Sequence, residues 1–146
     1  MDDNLYSSYE TASSTFLPFS GLSINSVWYL SVEDCLATVI LKFENECLII
    51  KANAEDDSIQ LSRASRPAID QILQSANPAE GVWSKYVGQK FGWGWIAINQ
   101  QNYFDAVLLS FNDIVPNLLL NVIASSLHVF EISEVSDIID EADKMR

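Results

Sequence analysis

The residues with the means to do chemistry are few and dispersed. Asn99, Tyr103 and Asp105 frame one predicted hairpin turn, where an amide, a phenol and a carboxylate could recognise a polar ligand or move a proton. The same residue types build turns unaided, because Asn tolerates left-handed backbone and Asp accepts backbone donors. That second use is the first expectation. The single histidine, His128, sits between Leu127 and Val129 in a predicted strand, with no nucleophile or orienting group marked by the sequence. It reads as structural, and no catalytic residue is assigned.

Metal and phosphate chemistry are disfavoured by the same logic. Glu55, Asp56 and Asp57 are adjacent, but successive strand residues point to opposite faces and do not converge on a cation. A solvated turn is expected there. The sequence has no Cys-x-x-Cys, no histidine pair and no EF-hand loop, so no metal site and no cofactor are expected. Gly88, Gly92 and Gly94 lead into a strand, whereas a phosphate loop follows a strand and opens a helix. Glycine between aromatics in a strand marks a bulge or a close neighbour.

Residues 83–95 are the most unusual segment. Trp83, Tyr86, Phe91, Trp93 and Trp95 gather there with Lys85 and Lys90. Aromatics beside cations are the material of binding hot spots, and they also fill small β-cores. Trp93 and Trp95 share one face of a strand. The candidate binding residues are therefore Trp83, Tyr86, Trp93, Trp95, Asn99, Tyr103 and Asp105.

These groups need elements to position them, and the elements read as mainly β. Strand signals fall at residues 26–31, 35–43, 46–52 and 58–62, joined by hairpin-sized links that imply antiparallel pairing. Ser65 and Pro67 open a short amphipathic helix near 67–76, ended by Asn77-Pro78. Strands return at 91–99, 103–111, 118–123 and 127–132. A C-terminal helix is expected near 134–144, with Val135, Ile138, Ile139, Ala142 and Met145 on one stripe and its acids opposite. Residues 1–15 read as a loose polar arm, pinned by Phe16-Leu17-Pro18-Phe19.

The two strand blocks resemble each other. Residues 39–45 match 107–113 in pattern, 48–52 match 118–122, and 28–30 sit where 96–98 sit. This suggests a duplicated β-meander, each copy followed by a helix. Residues 35–43 are apolar on both faces, so that strand must be covered on both sides. The expected fold is mainly β (α+β): two antiparallel meanders, as a pseudo-duplicated sandwich or an open barrel. One domain spans 1–146, within the usual size for a single core.

The net charge is −12, from 20 acids and 8 bases. Residues 1–57 carry 10 acids and 2 bases, and residues 105–146 carry 8 acids and 2 bases. The stretch between them is mildly basic, with Arg63, Arg66, Lys85 and Lys90 against Asp70 and Glu80. This balance disfavours nucleic acid and anionic membranes and suits a basic protein partner. The N-terminus lacks the positive, apolar pattern of a secretory signal. Cys35 and Cys47 each begin a neighbouring predicted strand and would not face each other. Free thiols in a cytoplasmic setting follow.

The run 82–111, with Gly after Trp83 and Tyr86, a Trp-x-Trp strand, an Asn-x-x-x-Tyr-x-Asp turn and a closing Phe, resembles a small bacterial domain family of unknown function. The later Ala124-Ser125-Ser126 before the last strand is similar too, so the likeness lies mainly in residues 82–132. It implies a compact β-rich bacterial protein and no established activity. In general character the chain also resembles bacterial toxin-immunity proteins. The first functional expectation is a non-enzymatic module binding a basic protein, in its sharpest form an inhibitor or immunity-type protein. The alternatives are a small-molecule or enzyme-like site at the Asn99/Tyr103/Asp105 hairpin, and a homo-oligomer, most simply a homodimer.

Overall fold

The computed structural model describes residues 13–133. The expected C-terminal helix and residues 1–12 of the expected arm lie outside them. Within them the chain is mainly β. Nine strands run in order: β1 (Ser26–Val32), β2 (Cys35–Lys42), β3 (Glu46–Asn53), β4 (Ser58–Ser65), β5 (Asn77–Pro78), β6 (Phe91–Ile98), β7 (Phe104–Phe111), β8 (Leu118–Ile123) and β9 (Ser126–Glu131). One helix, α1 (Ala68–Leu73), separates β4 from β5.

The strands form two antiparallel sheets, ordered β4-β3-β2-β1-β5 and β6-β7-β8-β9. They face each other as a sandwich, with β9 over β2 and β7 over β4. The alternation of apolar residues explains the core. Val39, Leu41, Leu48 and Ile50 from the first sheet meet Val107, Leu109, Leu118 and Leu120 from the second, all fully buried. Each such side chain contributes roughly 1.5–3 kcal/mol by leaving water. The second apolar face of β2 carries Ile40, which packs under Ile69 of α1 beside Cys47. The layers are thus helix, sheet, sheet, and β2 is apolar on both faces because both are covered.

The anchor at Phe16–Phe19 closes one end of the sandwich. Phe16 and Phe19 are buried, Phe19 lies 4.7 Å from the Phe43 ring, and Phe16 stacks 6.2 Å from Phe91. Residues 13–16 are helical and lead into a short 3-10 turn, Leu17–Phe19. A bulge in β6 falls between Phe91 and Gly94. It brings Gly92 against the Asp113 carbonyl and the Ser110 hydroxyl, leaving no room for a Cβ. Gly94 lies against the Phe16 ring in the same way.

The pairing registers show the likeness of the two meanders residue by residue. Trp28–Ile40–Ile49–Ser62 forms a row across the outer face of the first sheet. Trp95–Leu108–Leu119–Phe130 forms the same row in the second. The inner rows coincide likewise: Tyr29–Val39–Ile50–Leu61 against Ile96–Val107–Leu120–Val129. Trp28 therefore corresponds to Trp95, one residue from the match that sequence pattern suggested.

Two local expectations change. Ser65 does not cap the helix; it ends β4, opposite Glu46, and α1 has no side-chain cap. The strand is prolonged by pairing of Ala64 and Ser65 with Cys47 and Glu46, and alongside it Arg63 makes a two-pronged ion pair with Glu46, at 2.7–3.0 Å, over the Phe19 ring. Asn77-Pro78 does more than end the helix. It adds a short edge to β1, opposite Tyr29 and Trp28.

Candidate functional site

In a meander, alternate turns fall at the same end. The β1–β2 tip, Glu33-Asp34, therefore lies beside the β3–β4 tip, Glu55-Asp56-Asp57. Both residues of the first tip have positive φ, 52° and 66°, as a tight two-residue hairpin demands. The second tip is held by its own side chains: Asn53 Oδ1 accepts from the Glu55 N–H at 3.1 Å and Asp56 Oδ1 from the Ser58 N–H at 3.0 Å. Asp57 ties the sheets together, since the Ser125 N–H donates to its Oδ1 at 2.8 Å. That bond fixes the β8–β9 turn, where Ala124 and Ser125 hold positive φ without glycine.

Between these tips lies an open cleft of about 610 Å³, lined by Glu33, Cys35, Lys51, Asn53, Glu55 and Gln60 among others. Five carboxylates stand at this end, with Lys51 the one cation among the lining residues. The ion pairs among the described residues, Arg63–Glu46 and Lys85–Glu131, involve none of them. Glu33 and Glu55 line the cleft, and Asp34, Asp56 and Asp57 stand in the turns beside it; an acidic surface of this kind attracts cations and basic side chains. Sequence reasoning read Glu55-Asp56-Asp57 as a solvated turn, which its hydrogen bonds support. It missed the company of Glu33 and Asp34, which the rule of alternate turns could have supplied.

The predicted site residues are dispersed over three places. Trp83 is fully buried in the main core, on a 3-10 turn (Gly81–Lys85), and its indole N–H donates to the Tyr29 hydroxyl. Burial pushes the Tyr29 hydroxyl's pKa up, and the Trp83 hydrogen bond offsets part of that. Tyr86 is half-buried and stacks on Phe111 with ring centres 4.2 Å apart. Trp93 and Trp95 stand on the outer face of the second sheet, Trp93 40% exposed. There they join Leu108, Leu119 and Phe130. The Trp93 N–H donates to Ser110 Oγ at 2.8 Å, which anchors the bulge.

Asn99, Tyr103 and Asp105 remain at their hairpin. Asn99 Oδ1 accepts from the Gln101 N–H at 2.8 Å, its Nδ2 reaches Asp105 at 3.4 Å, and its N–H donates to the Tyr103 carbonyl at 3.0 Å. These groups close the turn on itself, and none of them lines the cleft. His128 is exposed on β9, its ring 6.4 Å from Phe130. Among the described residues no cluster of ligating side chains could hold a metal, and no helix is long and apolar enough to cross a membrane.

Fold and surfaces define a mainly β sandwich of two antiparallel meanders that share one register, with acidic turns at one end. The chain belongs to a family of unknown function, DUF6334, whose model matches residues 16–136. No curated protein and no solved structure matches it.

Proposed function

We propose that this chain is a non-enzymatic, cytoplasmic binding module that engages a basic partner protein through the acidic end of the sandwich. The placing of Glu33 and Glu55 in the wall of an open cleft, with Asp34, Asp56 and Asp57 in the same two turns, is the observation that carries this reading. The net charge of −12 supports it, because a field of one sign steers an oppositely charged partner and repels nucleic acid. Lys and Arg side chains of the partner would enter between the tips, and the apolar floor at Ala37 and Ala52 would accept their methylene stems. An inhibitor or immunity-type role is the finer form of the same reading.

The test is affinity capture from the native host at low salt, comparing the natural chain with a Glu33→Gln, Asp34→Asn, Glu55→Gln variant. A basic protein should be retained by the first, lost from the second, and released by high salt. Identical captured proteins from both chains, or a partner indifferent to salt, would remove the proposal.

A further inference from the structure

Among the described residues the two sheets end in the edge strands β4, β5, β6 and β9. β5 is two residues long and ends in Pro78. β6 is bulged between Phe91 and Gly94, and part of its edge is taken: the Phe91 carbonyl accepts from Gly21 and its N–H donates to Leu22, both at 2.8 Å. β9 follows the uncharged Ala124-Ser125 turn and ends in Glu131. β4 differs from all three. Its eight residues pair with β3 without a register shift, and no backbone hydrogen bond reaches its other side among the described residues. Its one charge, Arg63, is drawn back toward β3 by the Glu46 carboxylate. Open edges ordinarily carry a proline, a bulge or a free charge that repels a further strand. β4 has none of these. Charge instead marks its two ends: it begins directly after Glu55-Asp56-Asp57, and Arg66 stands just past its last residue. Gln60 of β4 and its pair Lys51 of β3 line the cleft.

We infer that the free edge of β4 receives an extended segment of the basic partner, which adds to the sheet as an antiparallel strand with Lys or Arg at its C-terminal end. The inference rests on the partner proposed above and assigns its mode of engagement. Antiparallel pairing is the more stable per residue. It sets the segment's C-terminal end beside Ser58, where β4 starts, so the basic side chains meet the Glu55-Asp56-Asp57 turn. The added strand lies about 4.8 Å from β4, and its side chains next to Gln60 reach the cleft. An acidic residue at its N-terminal end would suit Arg66. Main-chain hydrogen bonds then supply affinity for any extended segment, while the charged ends fix its direction and register.

The probe is a synthetic peptide as long as β4, of alternating Thr and Val and ending in a run of lysines, followed by NMR and amide exchange on the full chain. At about 1 mM peptide, exchange should slow at alternate β4 amides, those whose N–H points away from β3. Two further peptides carry N-methyl groups on alternate amides, one peptide for each set. One should bind at least about tenfold more weakly and the other like the parent, because only one set of amides faces β4. A lysine-free analogue should bind at least about threefold more weakly. Equal binding by both N-methylated peptides would overturn the inference, as would a response at β6 or β9 in place of β4, or none at β4. Outward β4 amides already protected in the free monomer would overturn it too, since the chain would then cover its own edge. So would a dimer by light scattering whose dissociation alone frees those amides, which makes a second copy the occupant. A basic protein captured through the acidic turns while β4 stays silent would keep the proposed function and sink this inference alone.

Discussion

The outer face of the first sheet is closed by α1, with Ile40, Cys47 and Ile69 withdrawn from water, whereas the outer face of the second leaves Trp93 and Phe130 nearly half exposed among the described residues. The two faces come from meanders with one register, so strand pairing does not explain the difference. Side-chain choice does. The first row ends in Ser62 and the second in Phe130. The first inner face carries Val27 where the second carries Gly94, which leaves room for the Phe16 ring. Two meanders of like register are thus filled differently on each side. The N-terminal anchor invades the second copy, and the helix after β4 seals the first.

Removing the seal should have the largest effect. Ile69 is fully buried between α1 and the sheet. Ile69→Ala should cost about 2–5 kcal/mol, from lost burial plus the cavity left behind. Urea denaturation measures it. A loss below about 1 kcal/mol would mean that α1 merely rests on the sheet and that the two faces differ less than the structure shows.

Gly94 sharpens the contrast on the inner side. Gly94→Ala would drive a methyl group into the Phe16 ring, and overpacking of this kind costs about 1–3 kcal/mol. Restoring space with Phe16→Leu in the same chain should recover part of the loss, a coupling that a double-mutant cycle reads directly. Additive effects would show that the two sites do not touch. At the corresponding Val27, by contrast, a side chain is already accommodated.

Most of the strands were legible because their signals are local. Apolar alternation and short polar links mark β1–β3 and β6–β9 within a residue, β4 runs three residues past its expected end, and the helix near 67–76 appears as Ala68–Leu73 followed by a turn. The errors arose where tertiary contacts overrode local cues. Ser65 looks like a helix cap in isolation, yet its pairing with Glu46 keeps it in β4. The match of Trp28 to Ile96 slipped by one because the two hairpins turn through connections of different length: Trp28 stands 12 residues before its partner Ile40, whereas Trp95 stands 13 before Leu108. Nor does spacing alone distinguish Trp83, buried on a 3-10 turn, from Trp93, half exposed on a bulge. The acidic cleft joins two turns about twenty residues apart in sequence. Only the meander topology brings them together.

The smallest expected effect is the alkaline response of Cys47. It lies under α1 on the outer face, 1% exposed, opposite Lys42 and Ala64. Burial raises its thiol from the ordinary 9.0 to about 11, with the Lys42 charge opposing part of the rise. Below pH 9 the thiol is protonated in both folded and unfolded chains, so the difference in pKa is without consequence. Between pH 9 and 11 the unfolded chain ionises first, and stability is lost as pH rises. A Cys47→Ala variant lacks this term, so its stability relative to the natural chain should improve steadily across that window. The corresponding position in the second meander is Asn117, which does not titrate, so the term belongs to the first face alone. Cys35, exposed at the β1–β2 tip, should react at once with a thiol reagent near pH 8, while Cys47 waits for opening of α1. Equal reaction rates for the two thiols would mean that the first face is no better sealed than the second.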